Sequence, residues 1–400
     1  MQILASGRVL AALAMVLLAG SPAAGQPADE ATVAAAVLRI EHPQPLTISR
    51  LDLPPEDLGF AGGELATADN LTTGGFMGQS FTLESVSAPP EEAITAMEAI
   101  IEQGIGFVVT MADADTTLAL ADAAEGRALI LNATAADDRL RGADCRANML
   151  HLAPSNAMLT DALAQFLMLK RWSDWFLIEG SHPADTELAD AYRRAADKFG
   201  ARIVESRVFE DTGGARRTDS GHVQVQAQMP VFTQRAATHH VLLAVDESEV
   251  FAEHLPYHTW DPRPVVGSAG LVPMSWQPSH EAWGGTQLQT RVERQSIRPM
   301  RTEDYNVWMA VRALGEAATR TNATDDANLR DYMLGPDFGL GVFKGQPVSF
   351  REWDRQLRQP VLLAAGNVVV SVSPQDQYVH QVSPLDTLGT DRPETACNLD

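Results

Sequence analysis

Cysteine is nearly missing from this 400-residue chain, which contains only Cys145 and Cys397. That excludes a small disulfide-stapled scaffold and any cysteine-rich metal module. Positive charge is also scarce: 30 Lys and Arg stand against 52 Asp and Glu, a formal net charge of −22. Such a chain disfavours nucleic acid and anionic membrane surfaces as partners and accommodates a neutral or cationic ligand more easily. The same acidity also keeps an exported protein in solution. After Leu18 no apolar run is long enough to cross a bilayer, so no membrane insertion is expected.

Catalytic and cofactor motifs are missing as well. There is no Gly-x-Ser-x-Gly elbow, and Phe60-Ala61-Gly62-Gly63-Glu64 lacks the Gly-Lys-Ser/Thr of a phosphate loop. His254 and His258 are four apart, but Pro256 between them breaks the helix face a metal pair would need. His239-His240 adjoins an apolar run and reads as structural. Trp260, Trp276 and Trp283 form a candidate aromatic cluster, for packing or for stacking on a ligand. The reading is a non-enzyme with no cofactor and no metal site.

What is present begins with an export signal. Arg8 precedes the apolar run Val9 to Leu18, and small residues follow through Gly25. Residues 1–25 are expected to be a cleaved leader, giving a periplasmic protein whose charge is one unit more negative once Arg8 is gone. In that compartment Cys145 and Cys397 are expected to pair and tie the tail to the first half of the chain; two buried thiols are the alternative.

The rest alternates strand-like and helix-like segments. Ala34–Ile40, Ser80–Val86, Gly106–Thr110 and Ala128–Leu131 read as strands, with helices over Gly62–Leu71, Glu91–Gln103 and Asp115–Ala124 between them. In the second helix Ile94, Met97 and Ile101 are expected on the core face. The rhythm restarts at Asn148–His151, with a helix over Met158–Lys170. Trp175–Ile178 is then a buried strand, and Leu188, Tyr192, Ala195 and Phe199 form one helical face ending at Gly200. Ala201–Phe209 completes a strand–helix–strand unit, so Glu179, Ser181 and His182 stand at a ligand-facing strand end. Asp211–Gln228 reads as a polar loop. His240–Val245 and Pro264–Gly267 are further strands, and Asp304–Thr319 is a long helix. Pro347–Ser371 holds a turn and then strands, and the tail from Pro374 is irregular. This order predicts α/β architecture with parallel sheets.

The segments His151–Ala157, Trp175–Phe209 and Asp304–Ala310 resemble the type I periplasmic solute-binding proteins of ABC importers, the branched-chain amino-acid-binding group. Phe343–Pro360 and Ser383–Asp391 resemble a subgroup associated with PQQ-dependent alcohol dehydrogenase systems. The resemblance implies a two-lobed α/β fold, each lobe a mainly parallel sheet flanked by helices, with a hinge between lobes. The expected division is residues 32–150 plus 280–345 for lobe 1, 151–279 plus 346–385 for lobe 2, and 386–400 as a tail. It implies a small solute bound between the lobes, an inner-membrane permease and ATPase as partners, and no catalytic activity. A sensor, metal-binding or accessory role beside a quinoprotein dehydrogenase, without transport, is the alternative.

The resemblance also places candidate ligand residues. In lobe 1 they are Thr110, Asp113 and Asp115 after one strand and Asn132 and Thr134 after the next. In lobe 2 they are Glu179, Ser181, His182, Asp246 and Glu247. Asp113 stands where the family pattern has serine, which sets a carboxylate against an amino acid's carboxylate and disfavours that ligand. Asp113 or Asp115 equally suits a helix cap, and Asn132 and Thr134 suit ordinary turns. The five acids of this set raise the question of a hard cation such as calcium, although no contiguous calcium loop is present.

Overall fold

Apolar alternation along the first strand explains the first sheet. In β1 (Ala31–Ile40) Val33, Ala35 and Val37 enter one core and Ala36, Leu38 and Ile40 enter another, so both faces are covered. β2 (Gln79–Ala88), β3 (Phe107–Met111), β4 (Leu129–Asn132) and β5 (Met149–His151) join it in the order β2-β1-β3-β4-β5, all parallel. The computed structural model describes residues 31–43, 47, 53–211 and 219–399. The expected leader lies outside them.

The second sheet repeats the plan. β6 (Asp174–Gly180) sends Trp175 and Leu177 to one core and Phe176 and Ile178 to the other. β7 (Arg202–Phe209), β8 (Val241–Val245), β9 (Val265–Gly267) and β10 (Leu271–Met274) are parallel to it, in the order β7-β6-β8-β9-β10. β14 (Val361–Ala365) and β15 (Val368–Ser373) add antiparallel at the β10 edge. In both sheets the strand order reverses once, between β1 and β3 and between β6 and β8. Ligands of open α/β sheets bind outside the carboxyl ends of the strands at such a reversal.

Helices cover these faces. α1 (Phe60–Gly74), α7 (Gly285–Ser296), α8 (Thr302–Thr321) and α9 (Asp326–Leu334) pack on one face of the first sheet. α2 (Ala93–Glu102) and α3 (Ala114–Ala123) take the other. On the second sheet α4 (Asn156–Leu169) and α5 (Pro183–Phe199) lie on one face, and α6 (Asp219–Thr233) on the opposite one. The glycines of α1 let it pack closely: a Cβ on Gly62 would sit 1.9 Å from the Asp304 carbonyl oxygen of α8. A small third sheet of β11 (Leu340–Gly341), β12 (Pro347–Phe350) and β13 (Leu357–Arg358) adds Val348, Phe350 and Leu357 to the first core. The chain passes between the sheets at residues 152–155, 275–284 and 358–360. There the Gln356 amide donates to the carbonyls of His151 at 3.2 Å and Ala153 at 3.0 Å, and Arg141 donates to Gln356 at 2.8 Å.

Three expectations differ. Asp211–Gln228 is not all loop, since α6 starts at Asp219. The core face of α2 is Ala93, Met97 and Ile100, while Ile94 is exposed. Only two of the three tryptophans come together, Trp276 and Trp283, on either side of His280. Trp276 is buried and stacked on Tyr305, Trp283 is exposed beside His280, and the exposed Trp260 donates its backbone N–H to the Thr233 hydroxyl. The tail is fixed twice. Cys145 and Cys397 form a disulfide, and buried Asp161 on α4 accepts from Arg194, Lys198 and the Gly389 N–H.

Candidate functional site

At the first reversal, β1 runs into Glu41-His42 and β3 into Ala112-Asp113. Asp113 caps α3 by accepting from the Thr116 N–H at 2.8 Å, and its other oxygen lies 3.4 Å from His42 Nε2. The Thr134 hydroxyl accepts from the Ala112 N–H at 3.0 Å and donates to the Ala112 carbonyl at 2.9 Å, which ties the β4 turn to the β3 turn. Asn132 is buried and its amide oxygen takes the N–H groups of Thr134 and Ala135. Its amide nitrogen reaches the Ala135 carbonyl and His151 Nδ1. Thr110, opposite Asn132 in the sheet, is buried, and its hydroxyl has no partner among the described residues. Asp115 is exposed and pairs with Arg139.

At the second reversal, Ser181 Oγ accepts from the Asp211 N–H at 3.0 Å, and His182 Nε2 lies 3.0 Å from Asp211 Oδ2. Glu179 pairs with Arg193 at 2.7 Å. Asp246 is buried. It accepts from the N–H groups of Val250 at 2.9 Å, Phe251 at 2.6 Å and Ala252 at 2.7 Å. Burial raises its carboxyl above the usual range against those three bonds. Asp185 takes the N–H groups of His182 and Ser248, which joins the β6 and β8 turns.

Acids of the two sheets act on one another across this region, with Arg139 among them. Glu187, in the first turns of α5, has its carboxyl raised by burial and by the nearby Asp137 of the β4–β5 connection. Asp115 raises it further and Arg139 lowers it. Burial, then the charges of Asp185, Asp246, Glu249 and Asp137, push the Glu247 carboxyl up to about 7. Yet Glu247 is open to water. Protein and acidic neighbours crowd this side chain although solvent reaches it, so the upward direction stands and its size is screened.

Of the candidates read from sequence, Glu247 and Asp115 thus meet acids of the opposite sheet. Asn132, Thr134 and Asp246 spend their oxygens on backbone. Asp137, Asp185, Glu187 and Arg139 were not foreseen, although Asp185 and Glu187 follow Pro183 at a helix start and Asp137 follows the Asn132 turn. Among the described residues no group of three or more His, Cys, Asp or Glu is arranged to hold a metal ion. Nor is any described helix long and apolar enough to cross a membrane.

Residues 59–228 match the family described as periplasmic binding protein. No curated protein matches. A branched-chain amino-acid ABC transporter periplasmic ligand-binding protein from Burkholderia xenovorans LB400 superposes with a TM-score of 0.67 at 14% identity, covering 85% of this chain and 95% of its own. The closed leucine-, isoleucine-, valine-, threonine- and alanine-binding protein of Brucella ovis gives 0.64 at 14%, covering 83% and 89%. An ABC-transporter solute-binding protein of R. palustris in complex with benzoate gives 0.64 at 13%, covering 92% and 100%. The chain therefore has the two-lobed α/β fold of the periplasmic binding proteins.

Proposed function

We propose that this chain, which has the fold of the periplasmic binding proteins, is the periplasmic solute-binding component of an ABC importer and holds a small organic solute bearing positive charge between its lobes. Lobe 1 is taken as residues 32–150 and 280–345 and lobe 2 as 151–279 and 346–385, with 347–357 packing back on lobe 1. One observation carries the choice of solute: Asp115 and Asp137 of one lobe face Glu187 and Glu247 of the other, with Arg139 as the balancing cation. An ammonium between them relieves the repulsion and favours the closed state, which an inner-membrane permease and ATPase would receive. Proteins of this fold bind amino acids and, in one case, benzoate. The likeness of Phe343–Pro360 and Ser383–Asp391 to binding proteins of PQQ-dependent alcohol oxidation systems supports a solute linked to that metabolism.

A thermal-shift panel of primary amines, amino acids, short alcohols and their carboxylates tests the reading. A ligand at a hundred times its Kd adds about 2.7 kcal/mol of stability. Ammonium-bearing compounds should raise Tm, and the double variant Asp137→Asn with Glu187→Gln should lose most of that shift. If no ammonium compound acts, or the double variant responds equally, the cationic-solute reading is overturned. Co-purification with a quinoprotein in place of a permease would replace transport by an accessory role.

A further inference from the structure

The helix layer of the first sheet carries a second concavity, away from the strand ends. α1, α7 and α8 with Phe343 line an open groove of about 790 Å³, within the volume range of small-molecule sites. Helical spacing explains its lining. Leu65 and Asp69 lie four apart on α1, Arg291 and Arg294 three apart on α7, and Trp308 and Arg312 four apart on α8, so each pair shares a face.

Charge there is not balanced. Three guanidinium groups meet one carboxylate in a chain whose net charge is −22. Asp69 is occupied: it pairs with Arg291 and accepts from Trp308 Nε1 at 3.1 Å. Arg312 is half-buried and donates to the neutral amide oxygen of Asn70, which is itself buried and held by the Val311 carbonyl. Among the described residues no carboxylate pairs directly with Arg312 or Arg294; Glu316, four residues on in α8, acts on Arg312 at longer range and is itself paired with Arg320. Burial lowers the Arg312 pKa, and burial together with the Arg312 charge lowers that of Arg291. An anion arriving beside them would reverse both effects. The accessible aromatic of the groove is the half-buried Phe343, with buried Trp308 behind it. Trp308 packs 5.6 Å from Phe343, and Phe343 holds a φ of 58°, a conformation that bulky side chains adopt at a cost.

We propose that this groove binds an amphipathic organic anion. Its carboxylate or equivalent planar group lies against Arg312 and Arg294, and its apolar body rests on Phe343, which the buried Trp308 backs. A guanidinium fork suits a planar two-oxygen anion, and Phe343 adds apolar contact for the body of an organic one. The site is separate from the cleft and does not depend on what the cleft holds.

The probe is 4-fluorobenzoate, followed by fluorine NMR on the full-length exported protein, with neutral 4-fluorobenzamide as control. The benzoate signal should shift saturably and the benzamide signal should not. Arg312→Gln should weaken binding about tenfold or more, the loss expected for one charge-assisted fork. Arg294→Gln, on the exposed side of α7, should weaken it less and keeps the test usable if Arg312→Gln misfolds. Asp137→Asn with Glu187→Gln should leave binding unchanged. The proposal fails if the native protein shows no saturable binding, if both arginine variants bind as the native does, or if the cleft variant abolishes binding.

Discussion

Asp246 shows how one residue can suit two readings. A carboxylate after a buried strand is what a ligand ammonium would want, and also what a tight backbone turn would want. Here both oxygens are taken by the N–H groups of Val250, Phe251 and Ala252. Asp246→Ala leaves those donors without an acceptor and should cost about 3 kcal/mol or more, at about 1–3 kcal/mol per unsatisfied group. Asp246→Asn keeps one acceptor oxygen and should cost less. Urea unfolding measures both. If Asp246→Asn instead weakens binding of the best solute of the thermal panel about tenfold with little loss of stability, the side chain contacts ligand. The same ambiguity explains why Asn132 and Thr134 could not be assigned from sequence. Turn formers and ligand groups are drawn from the same residue types, and only their partners tell them apart.

At the scale of elements, legibility followed periodicity. The strand Trp175–Ile178 and the helix ending at Gly200 were plain because apolar spacing and a stop signal coincide; Gly200 adopts a φ of 78°. α6 was hidden because its sequence is polar and carries Pro230. The one-residue offset on α2 arose because alanine at position 93 supplied a core contact that the larger Ile94 was expected to make, while Ile101 still packs at the core's edge. Among the least legible parts were the C-terminal segments 343–360 and 383–391, which interlock through charges. Buried Asp386 accepts from Arg351 at 2.9 Å and Arg358 at 2.8 Å, and Arg351 also donates to the Leu388 carbonyl at 2.7 Å. Removing one partner strands a buried charge, so Asp386→Asn should cost about 3–5 kcal/mol. The triple change Arg351→Met, Arg358→Met and Asp386→Leu should recover much of it, because apolar replacement of a whole buried ionic group is often neutral. A urea midpoint close to native for Asp386→Asn alone would show that the clip does not hold the tail.

For the whole molecule, the acids between the lobes make stability depend on pH in a definite direction. The Glu247 carboxyl is pushed from 4.5 up to about 7 in the folded chain, first by burial and then by Asp185 and Asp246. A folded carboxyl that holds its proton more tightly than the unfolded one favours folding at low pH. That contribution is fully present below about 4.5 and is lost as pH rises toward about 7. Glu187 and Asp246 are raised as well and act with the same sign. Because Glu247 is reached by solvent, the effect is screened and should shrink in high salt. Calorimetric Tm values for native protein and Glu247→Gln, compared between pH 5 and pH 8, isolate this residue from all others that titrate. The variant should gain on the native protein as pH rises, and most at low ionic strength. A saturating ammonium solute should close the gap, since it supplies the charge that the proton otherwise brings. If the difference between the two proteins does not change with pH, Glu247 ionises freely, and the acids of the two lobes do not crowd one another as the cationic-solute reading requires.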